Sequence, residues 1–297
     1  KPQYHNNQTH FELEDLPTSW GGYDKMPLRA KYFSKSGKPY LGMTGKFHRA
    51  WGEFGGFKAP QALRYEIAAM MAFGAGCSVG DQMHPSGKMD LETYRLIGQA
   101  YDYARVIEPY CYDAEPVSKL GVYLSRNQEV NEGVAKALLD VHEEFDVITD
   151  DVFERYETVL IPEESILTKS AQQSLRKYLK NNGRIFLLGD SLLQENGPMV
   201  DIAMAESGCT VPAAADVDYL YLDQPALKPL IRSPFLMYRP AMRLEAQNGR
   251  CEVLAEVVPP YFNRTYGHYC GHKNTPYNMK APRRPAAVRC DGIVYAA

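Results

Sequence analysis

The sequence predicts an α/β protein in which parallel strands alternate with helices, arranged in two successive segments. Three observations support this class. Short apolar runs alternate with helical patterns through most of the chain. Two of the apolar runs, at 40–48 and 77–85, end in chemically active residues ahead of a helix. Pro109 and Pro116 bracket a short linker, after which a new series of strands begins.

The chain opens with an amphipathic strand at 8–15. Its residues alternate polar and apolar, so Phe11 and Leu13 point one way while Glu12 and Glu14 point the other. Two further strand–helix units follow, which makes three units in the first segment, residues 1–115. The remaining predicted elements are strands at 39–48 and 77–83 and helices at 25–36, 59–75 and 90–108.

The ends of these helices carry recognisable signals. Gly37 closes the first helix. Pro60 lies in the first turn of the second, and Asp90 is a predicted N-cap of the third. Leu16 and Pro17 end the first strand, and a loop is expected at Trp20–Tyr23. These signals fix the order strand, loop, helix, which in parallel α/β folds puts functional residues where strands end.

The length of the first segment raises two alternatives. A closed (β/α)₈ barrel, a TIM barrel, needs eight units and about 250 residues, so three units cannot close one and leave a sheet edge open. The segment is either the last part of a barrel whose beginning is missing from this chain, or a small open α/β domain. We favour the C-terminal part of a TIM barrel.

The second segment, residues 117–297, predicts a flavodoxin-like doubly wound domain. Glutamine amidotransferases share this architecture but need a nucleophilic cysteine after a strand. Here the strand at 158–162 runs into Glu163, Glu164 and Ser165 instead, which favours a role in packing or oligomerisation. From about 209 the chain is irregular and ends without a cap. The predicted elements are strands at 120–124, 146–148, 158–162, 184–189, 251–258 and 286–295, with helices at 129–144, 168–181 and 198–207.

Composition excludes several classes of function. The net charge of −3 offers no electrostatic basis for a nucleic acid or an anionic membrane as partner, and no apolar run approaches the ~20 residues of a membrane helix. The 6 scattered cysteines do not predict a disulfide framework and are interpreted mostly as buried thiols. His268, Cys270 and His272 lack an evident fourth zinc ligand, so no metal and no cofactor is expected.

Carboxylates near the strand ends suggest a reaction. Glycoside hydrolysis requires two carboxyl groups that flank the scissile bond. Glu12 and Glu14 share a strand face, Glu53 follows the next strand among glycines, and Asp81 ends the third strand. The structural alternative is that the glutamates pair with basic residues and that Asp81 accepts N–H groups of its own loop.

Aromatic residues point to the same substrate class. The chain has 21 tyrosines and 2 tryptophans, and the C–H faces of sugar rings stack on aromatic rings. Trp20, Trp51 and Tyr23 are candidates for a sugar platform. His48 and His84 each follow a strand and are candidates to bind a sugar hydroxyl, although loop carbonyls satisfy many such histidines.

Several motifs resemble those of a bacterial group of glycoside hydrolases labelled α-L-fucosidase-like or hypothetical glycosyl hydrolase. The motifs are Thr9–Glu12, Leu16–Thr18, Trp20–Asp24, Gly42–His48, Trp51–Gly56 and Gly80–Pro85. The group is similar in domain plan to family 42 β-galactosidases, a barrel followed by a flavodoxin-like trimerisation domain. The resemblance implies that residues 1–110 carry barrel strands 6, 7 and 8. It also implies that Glu53 is the nucleophile and that the acid/base glutamate lies upstream of Lys1.

The sequence therefore favours an exo-acting, retaining glycoside hydrolase that removes fucose or galactose from an oligosaccharide or glycoside. A dimer or trimer is expected, in the periplasm or cytoplasm of a bacterium. The alternative is a catalytically silent carbohydrate-binding or assembly protein on a hydrolase scaffold. The catalytic candidates are Glu53, Glu12 and Asp81, and the substrate-binding candidates are Glu14, Trp20, Tyr23, His48, Trp51 and His84.

Overall fold

The computed structural model describes residues 7–191, 193–194, 197–198, 217–227, 230–242, 244 and 251–296. The fold is mixed α/β, as predicted. The chain divides into two compact units, one formed by Lys1–Ser118 with Glu132–Thr149 and the other by Lys119–Asn131 with Asp150–Ala297. The domain boundaries predicted from the sequence, 1–115 and 117–297, stay a prediction.

The first unit contains a parallel sheet of three strands in the order β1-β2-β3. The strands are β1 (Phe11–Glu14), β2 (Tyr40–Gly45) and β3 (Gly76–Gly80), and the helices are α1 (Pro17–Trp20), α2 (Lys25–Ser34), α3 (Pro60–Ala72) and α4 (Leu91–Cys111). All three predicted strands are present in shortened form. Pro17–Trp20 forms one helical turn that the sequence did not predict, and the predicted loop follows at 21–23. The predicted barrel is not shown by these strands and stays a proposal.

Local sequence explains where the longer helices begin. Pro60 occupies the first turn of α3, where a missing N–H costs nothing. The Asp90 carboxylate accepts the N–H of Glu92 and so caps α4. α4 continues past Pro109 to Cys111, beyond its predicted end. No helix among the described residues is long and apolar enough to cross a membrane.

The helices cover one face of the three-stranded sheet. Phe11 and Leu13 of β1 are buried in one cluster with Met26 of α2 and Met70 of α3. Gly42 of β2 lies beneath this cluster, and an added Cβ there would come within 2.4 Å of the Met70 side chain. Because side chains alternate along a strand, this packing directs Glu12 and Glu14 to the opposite face. Helix packing thus determines which residues remain for the site.

The second unit is built on a larger, mixed sheet. In chain order the elements after α4 are β4 (Leu120–Tyr123), α5 (Gln128–Asp140), β5 (Phe145–Ile148), β6 (Thr158–Ile161), α6 (Lys169–Lys180), β7 (Arg184–Leu188), β8 (Leu193–Gln194), β9 (Gly197–Pro198), β10 (Tyr219–Tyr221), β11 (Phe235–Leu236), β12 (Glu252–Val258), β13 (Arg284–Cys290) and β14 (Ile293–Ala296), with a 3₁₀ turn at Pro225–Leu227. Eight strands of the sheet follow the order β11-β10-β12-β13-β14-β7-β6-β4. Neighbours from β4 to β14 run parallel, and those from β14 to β11 run antiparallel.

Two predictions for this part of the chain were wrong. Cys251 and Cys290 form a disulfide, whereas the sequence indicated mostly buried thiols. They were missed because they lie 39 residues apart and only the register of β12 with β13 brings them opposite each other. The predicted strand at 286–295 is two strands, since a turn at Asp291 reverses the chain. The helix predicted at 198–207 lies almost wholly outside the described residues.

Candidate functional site

The site is built on the face of the three-stranded sheet that carries Glu12 and Glu14. Glu12 is level with Leu41 of β2, and Glu14 is level with Met43. Ser78 of β3 comes next to Met43 on the same face. These side chains are half-buried or exposed, unlike those on the helical face. The sheet therefore presents one surface that is open to a ligand.

Aromatic rings bound this surface at the carboxyl ends of β2 and β3. The Trp51 ring lies over Gly80, where an added Cβ would be 2.1 Å from its Cη2 atom. Phe47 lies against Gly45 in the same way, and the Phe47 and Trp51 rings meet edge to face at 5.0 Å between centroids. Phe47 is buried, but Trp51 is 48% exposed. Glycine at position 80 is what allows the indole to approach the strand.

Glu14 and Trp51 lie over the same face of the sheet, on the two sides of β2. Neighbouring strands are about 4.8 Å apart, so β1 and β3 are separated by roughly 10 Å. Glu14 is the last residue of β1. Among the described residues its carboxylate has no hydrogen-bond or ion-pair partner, whereas the Glu12 carboxylate approaches the His10 ring at 3.7 Å. Glu14 is therefore the carboxylate on this face that remains free to bind a hydroxyl.

Glu53 folds back onto its own loop. Its Oε1 atom accepts the N–H of Arg49 at 2.5 Å. Hydrogen bonds from the N–H groups of Arg49, Ala50 and His48 lower the pKa of the Glu53 carboxyl. An added Cβ at Gly56 would collide with this carboxylate, so glycine makes the fold of the loop possible. Glu53 is thus held ionised in a fixed position.

Asp81 pairs with a residue that the sequence analysis did not select. The Lys46 Nζ atom lies 3.9 Å from Asp81 Oδ1 at the end of β3. The Lys46 side chain is buried, and its ammonium group lies over the Phe57 ring at 4.9 Å and the Phe47 ring at 5.4 Å. The sequence could have indicated Lys46 through its position directly after Gly45, the last residue of β2. Only the packing of the folded chain shows that its charged group is buried.

The remaining candidates are more dispersed. His48 is exposed on the same loop as Glu53. His84 packs edge to face with Phe54 at 5.6 Å, and both lie on the loops that follow β2 and β3. Trp20 is 43% exposed, and the Ser19 hydroxyl next to it donates to the Arg49 carbonyl, which joins its loop to that of Glu53. These contacts bring together the segments that follow β1, β2 and β3.

Tyr23 lies in the helical layer, apart from Trp51. Its hydroxyl donates to Glu66 of α3 at 3.4 Å, and its ring meets Tyr65 at 5.1 Å. Glu66 belongs to a buried network that the sequence analysis missed. Lys58 Nζ donates to Glu66 Oε2 and to Thr44 Oγ1, each at 2.7 Å, and Thr44 donates to Glu66 Oε2 at 2.5 Å. This network connects β2 and α3 beneath the Glu53 loop.

Asp15 is the second buried acid that the sequence analysis missed. It continues the alternation of Phe11 and Leu13, so it points into the helical layer and is 2% exposed. Burial raises the pKa of its carboxyl to about 6, partly offset by Arg29, while Glu66 adds to the increase. The alternating pattern already contained this signal, because the residue two positions after Leu13 shares its face.

No group of three or more His, Cys, Asp or Glu residues in the described parts of the chain is arranged to hold a metal ion. In the second unit His268 stacks on Phe262 at 3.8 Å, and the Cys270 thiol faces the Asn274 carbonyl at 3.4 Å. Packing and backbone contacts thus already engage two of the three residues considered as zinc ligands.

Solved structures similar to this chain are glycoside hydrolases. Alpha-L-fucosidase isoenzyme 2 from Paenibacillus thiaminolyticus shares 31% identity, with a TM-score of 0.87 over 98% of this chain and 45% of that protein. A β-galactosidase from Bacillus circulans sp. alkalophilus shares 13% identity, with a TM-score of 0.74 over 99% of this chain and 48% of its own. The cold-adapted β-galactosidase from Rahnella sp. R3 shares 12%, with a TM-score of 0.70 over 99% of this chain and 49% of its own. No protein-family model and no curated protein matches the sequence.

These similarities give the chain a glycoside-hydrolase-like fold. At 13% and 12% identity the two β-galactosidases show the fold alone. The likeness to the fucosidase extends over nearly the whole of this chain. The chain spans about half the length of the solved structures that it matches.

Proposed function

We propose that this chain is part of an exo-acting glycoside hydrolase that removes fucose or galactose from an oligosaccharide or glycoside. The observation that carries the proposal is the open sheet face on which the unpartnered Glu14 carboxylate and the half-exposed Trp51 ring both lie. An aromatic face binds the C–H side of a sugar, and a free carboxylate binds its hydroxyls. The similarity to a fucosidase at 31% identity supports the substrate class.

We propose Glu53 as nucleophile or general base. A carboxyl whose pKa is lowered by backbone N–H groups stays ionised at neutral pH, as either role requires. The same hydrogen bonds make Glu53 unsuitable as the general acid, which must be protonated. Glu12, Glu14 and Asp81 are proposed to hold sugar hydroxyls. A retaining mechanism requires the second carboxyl about 5 Å from the first.

The rest of the proposal follows the domain plan of the similar proteins. The first unit is proposed as part of a barrel, which places its strand ends at the mouth of the site. The second unit is proposed to support assembly into a dimer or trimer. Trp20, His48 and His84 are proposed at the rim of the site. The Ser19–Arg49 hydrogen bond joins the segments of Trp20 and His48, and His84 contacts Phe54 of the loop that carries Glu53.

One observation favours a catalytically silent carbohydrate-binding protein as the second candidate. The Glu53 carboxylate already accepts hydrogen bonds from its own loop, which a purely structural role would also require. Such a protein would bind the sugar through Trp51 and Glu14 without hydrolysing it.

The test compares turnover and binding in the natural polypeptide that carries this sequence. The substrates are p-nitrophenyl α-L-fucoside and p-nitrophenyl β-D-galactoside. Glu53→Gln keeps an acceptor for the loop N–H groups but removes the charge, so we expect kcat to fall about 10²–10⁴-fold while the melting temperature stays constant. The control is Glu115→Gln, an exposed glutamate without hydrogen bonds among the described residues.

Trp51→Ala tests the binding platform separately. Loss of the ring is expected to raise KM about two- to tenfold, since ring contacts of this kind contribute about 0.5–1.5 kcal/mol. Tyr266→Ala in the second unit removes a fully exposed ring and serves as the control. Unchanged turnover in Glu53→Gln would remove Glu53 from the mechanism. Binding of L-fucose or D-galactose with no hydrolysis of either substrate would support the silent protein.

A further inference from the structure

A small pocket in the helical layer of the first unit contains a buried carboxylate with no partner. Asp15, Tyr23 and Glu66 supply its polar groups, and the remaining wall is formed by Pro17, Met26, Tyr65, Ala69 and Met70. Asp15 is 2% exposed, and among the described residues neither of its carboxylate oxygens has a hydrogen-bond partner. An unpaired carboxylate is costly to bury, so this arrangement needs a compensating group.

The basic residues nearby do not supply that group. Lys58 is committed to Glu66 and Thr44. The Arg29 guanidinium donates to the Glu14 carbonyl, and the Lys25 ammonium donates to the Trp20 carbonyl. Arg29, Lys25 and Lys58 therefore act on Asp15 only through space.

Two carboxylates, Asp15 and Glu66, face the pocket, and Lys58 contacts only the second of them. An ionised Asp15 is thus a buried negative charge that no cation of the described residues contacts directly, although Arg29, Lys25 and Lys58 act on it from a distance. The pocket has room for about one water-sized sphere.

We propose that this pocket binds a single alkali-metal cation, Na⁺ or K⁺, held by the carboxylate of Asp15 with the Glu66 carboxylate and the Tyr23 hydroxyl. All three donors are oxygens, which select hard cations over zinc or copper. A monovalent cation would bring one positive charge into direct contact with the Asp15 carboxylate. The site lies in the helical layer, away from the open sheet face, so it is independent of the proposed hydrolase activity.

Divalent cations fit this pocket less well. Ca²⁺ takes six to eight oxygen ligands, and Mg²⁺ keeps several waters in an octahedral shell. A space of about one water-sized sphere cannot hold such a shell. Alkali cations carry a single charge, lose their hydration more readily and accept a less regular arrangement of oxygen ligands, so they suit this site better.

The test measures the thermal stability of the natural polypeptide that carries this sequence, in different chloride salts. Both tryptophans of this sequence, Trp20 and Trp51, belong to the first unit, so tryptophan fluorescence includes a signal from the unit that contains the pocket. At about pH 8 Asp15 is ionised. Replacing about 0.1 M choline chloride by NaCl or KCl is expected to raise the melting temperature by about 2–4 °C at the same ionic strength.

Asp15→Asn should abolish this difference between salts, because the amide keeps the shape but removes the charge. The control, Asp113→Asn, changes an exposed loop aspartate and should retain the full response. In crystals soaked with thallium(I), an anomalous peak is expected beside Asp15. Equal melting temperatures in choline, sodium and potassium salts, together with no thallium peak, would overturn the proposal and leave the pocket to a water molecule or a proton.

Discussion

The buried network of Lys58, Glu66 and Thr44 offers a quantitative test of how the site is supported. The Lys58 and Glu66 side chains are 1% and 2% exposed, so solvent screens their attraction very little. Lys58→Met removes two hydrogen bonds and leaves the Glu66 carboxylate buried without a counter-charge. Breaking a buried pair in this way costs about 3–5 kcal/mol of unfolding free energy.

The companion variants separate charge from packing. Thr44→Val keeps the pair but removes one hydroxyl, and we expect a loss of about 1–2 kcal/mol. The double variant Lys58→Met with Glu66→Met removes both charges and replaces them by apolar groups. Because desolvation of two ions offsets most of their attraction, the double variant is expected to regain most of the stability lost in Lys58→Met.

The assay is urea unfolding followed by tryptophan fluorescence, which reports the unit that contains this network. The coupling free energy is the loss of unfolding free energy in the double variant minus the sum of the losses in the single variants Lys58→Met and Glu66→Met. A double variant as unstable as that sum would refute the argument, because it would show that the two residues do not compensate each other.

Three further outcomes are expected. Replacing Cys251 and Cys290 by serine should lower the unfolding free energy of the second unit by about 4 kcal/mol, since the disulfide closes a loop over a separation of 39 residues. Urea unfolding followed by far-UV circular dichroism measures this loss. A loss below about 1 kcal/mol would contradict the prediction. In choline buffer the folded pKa of Asp15 lies above its ordinary 3.8, at about 6, so folding is favoured below pH 3.8 and this stabilisation is lost as the pH rises through 6. The loss amounts to about 3 kcal/mol of unfolding free energy. It is measured as the difference in unfolding free energy between the wild type and Asp15→Asn at several pH values. A difference that does not change with pH would contradict the prediction. Gly80→Val should displace the Trp51 indole, because an added Cβ alone would lie 2.1 Å from it. The displacement should shift the tryptophan emission spectrum. An unchanged spectrum would show that the ring does not lie over Gly80.

The elements of the first unit were largely predictable from the sequence. Alternation of Phe11 and Leu13 with Glu12 and Glu14 identified β1 and separated its two faces. The Asp90 carboxylate caps the start of α4 by accepting the N–H of Glu92, only two residues further along the chain. These features depend on neighbours in the chain, so periodicity and capping rules suffice to find them.

Local patterns in the sequence were sufficient to predict the mixed α/β class, the order of strands and helices, and the position of the carboxylates at strand ends. That Asp15 and Glu66 share a pocket, that Lys46 is buried beside Asp81, and that Cys251 meets Cys290 became evident from the three-dimensional packing. The difference is one of range, because local patterns reflect interactions within a few residues. Pairings between distant positions depend instead on how whole helices and strands pack, and that packing decides which charges lose their water.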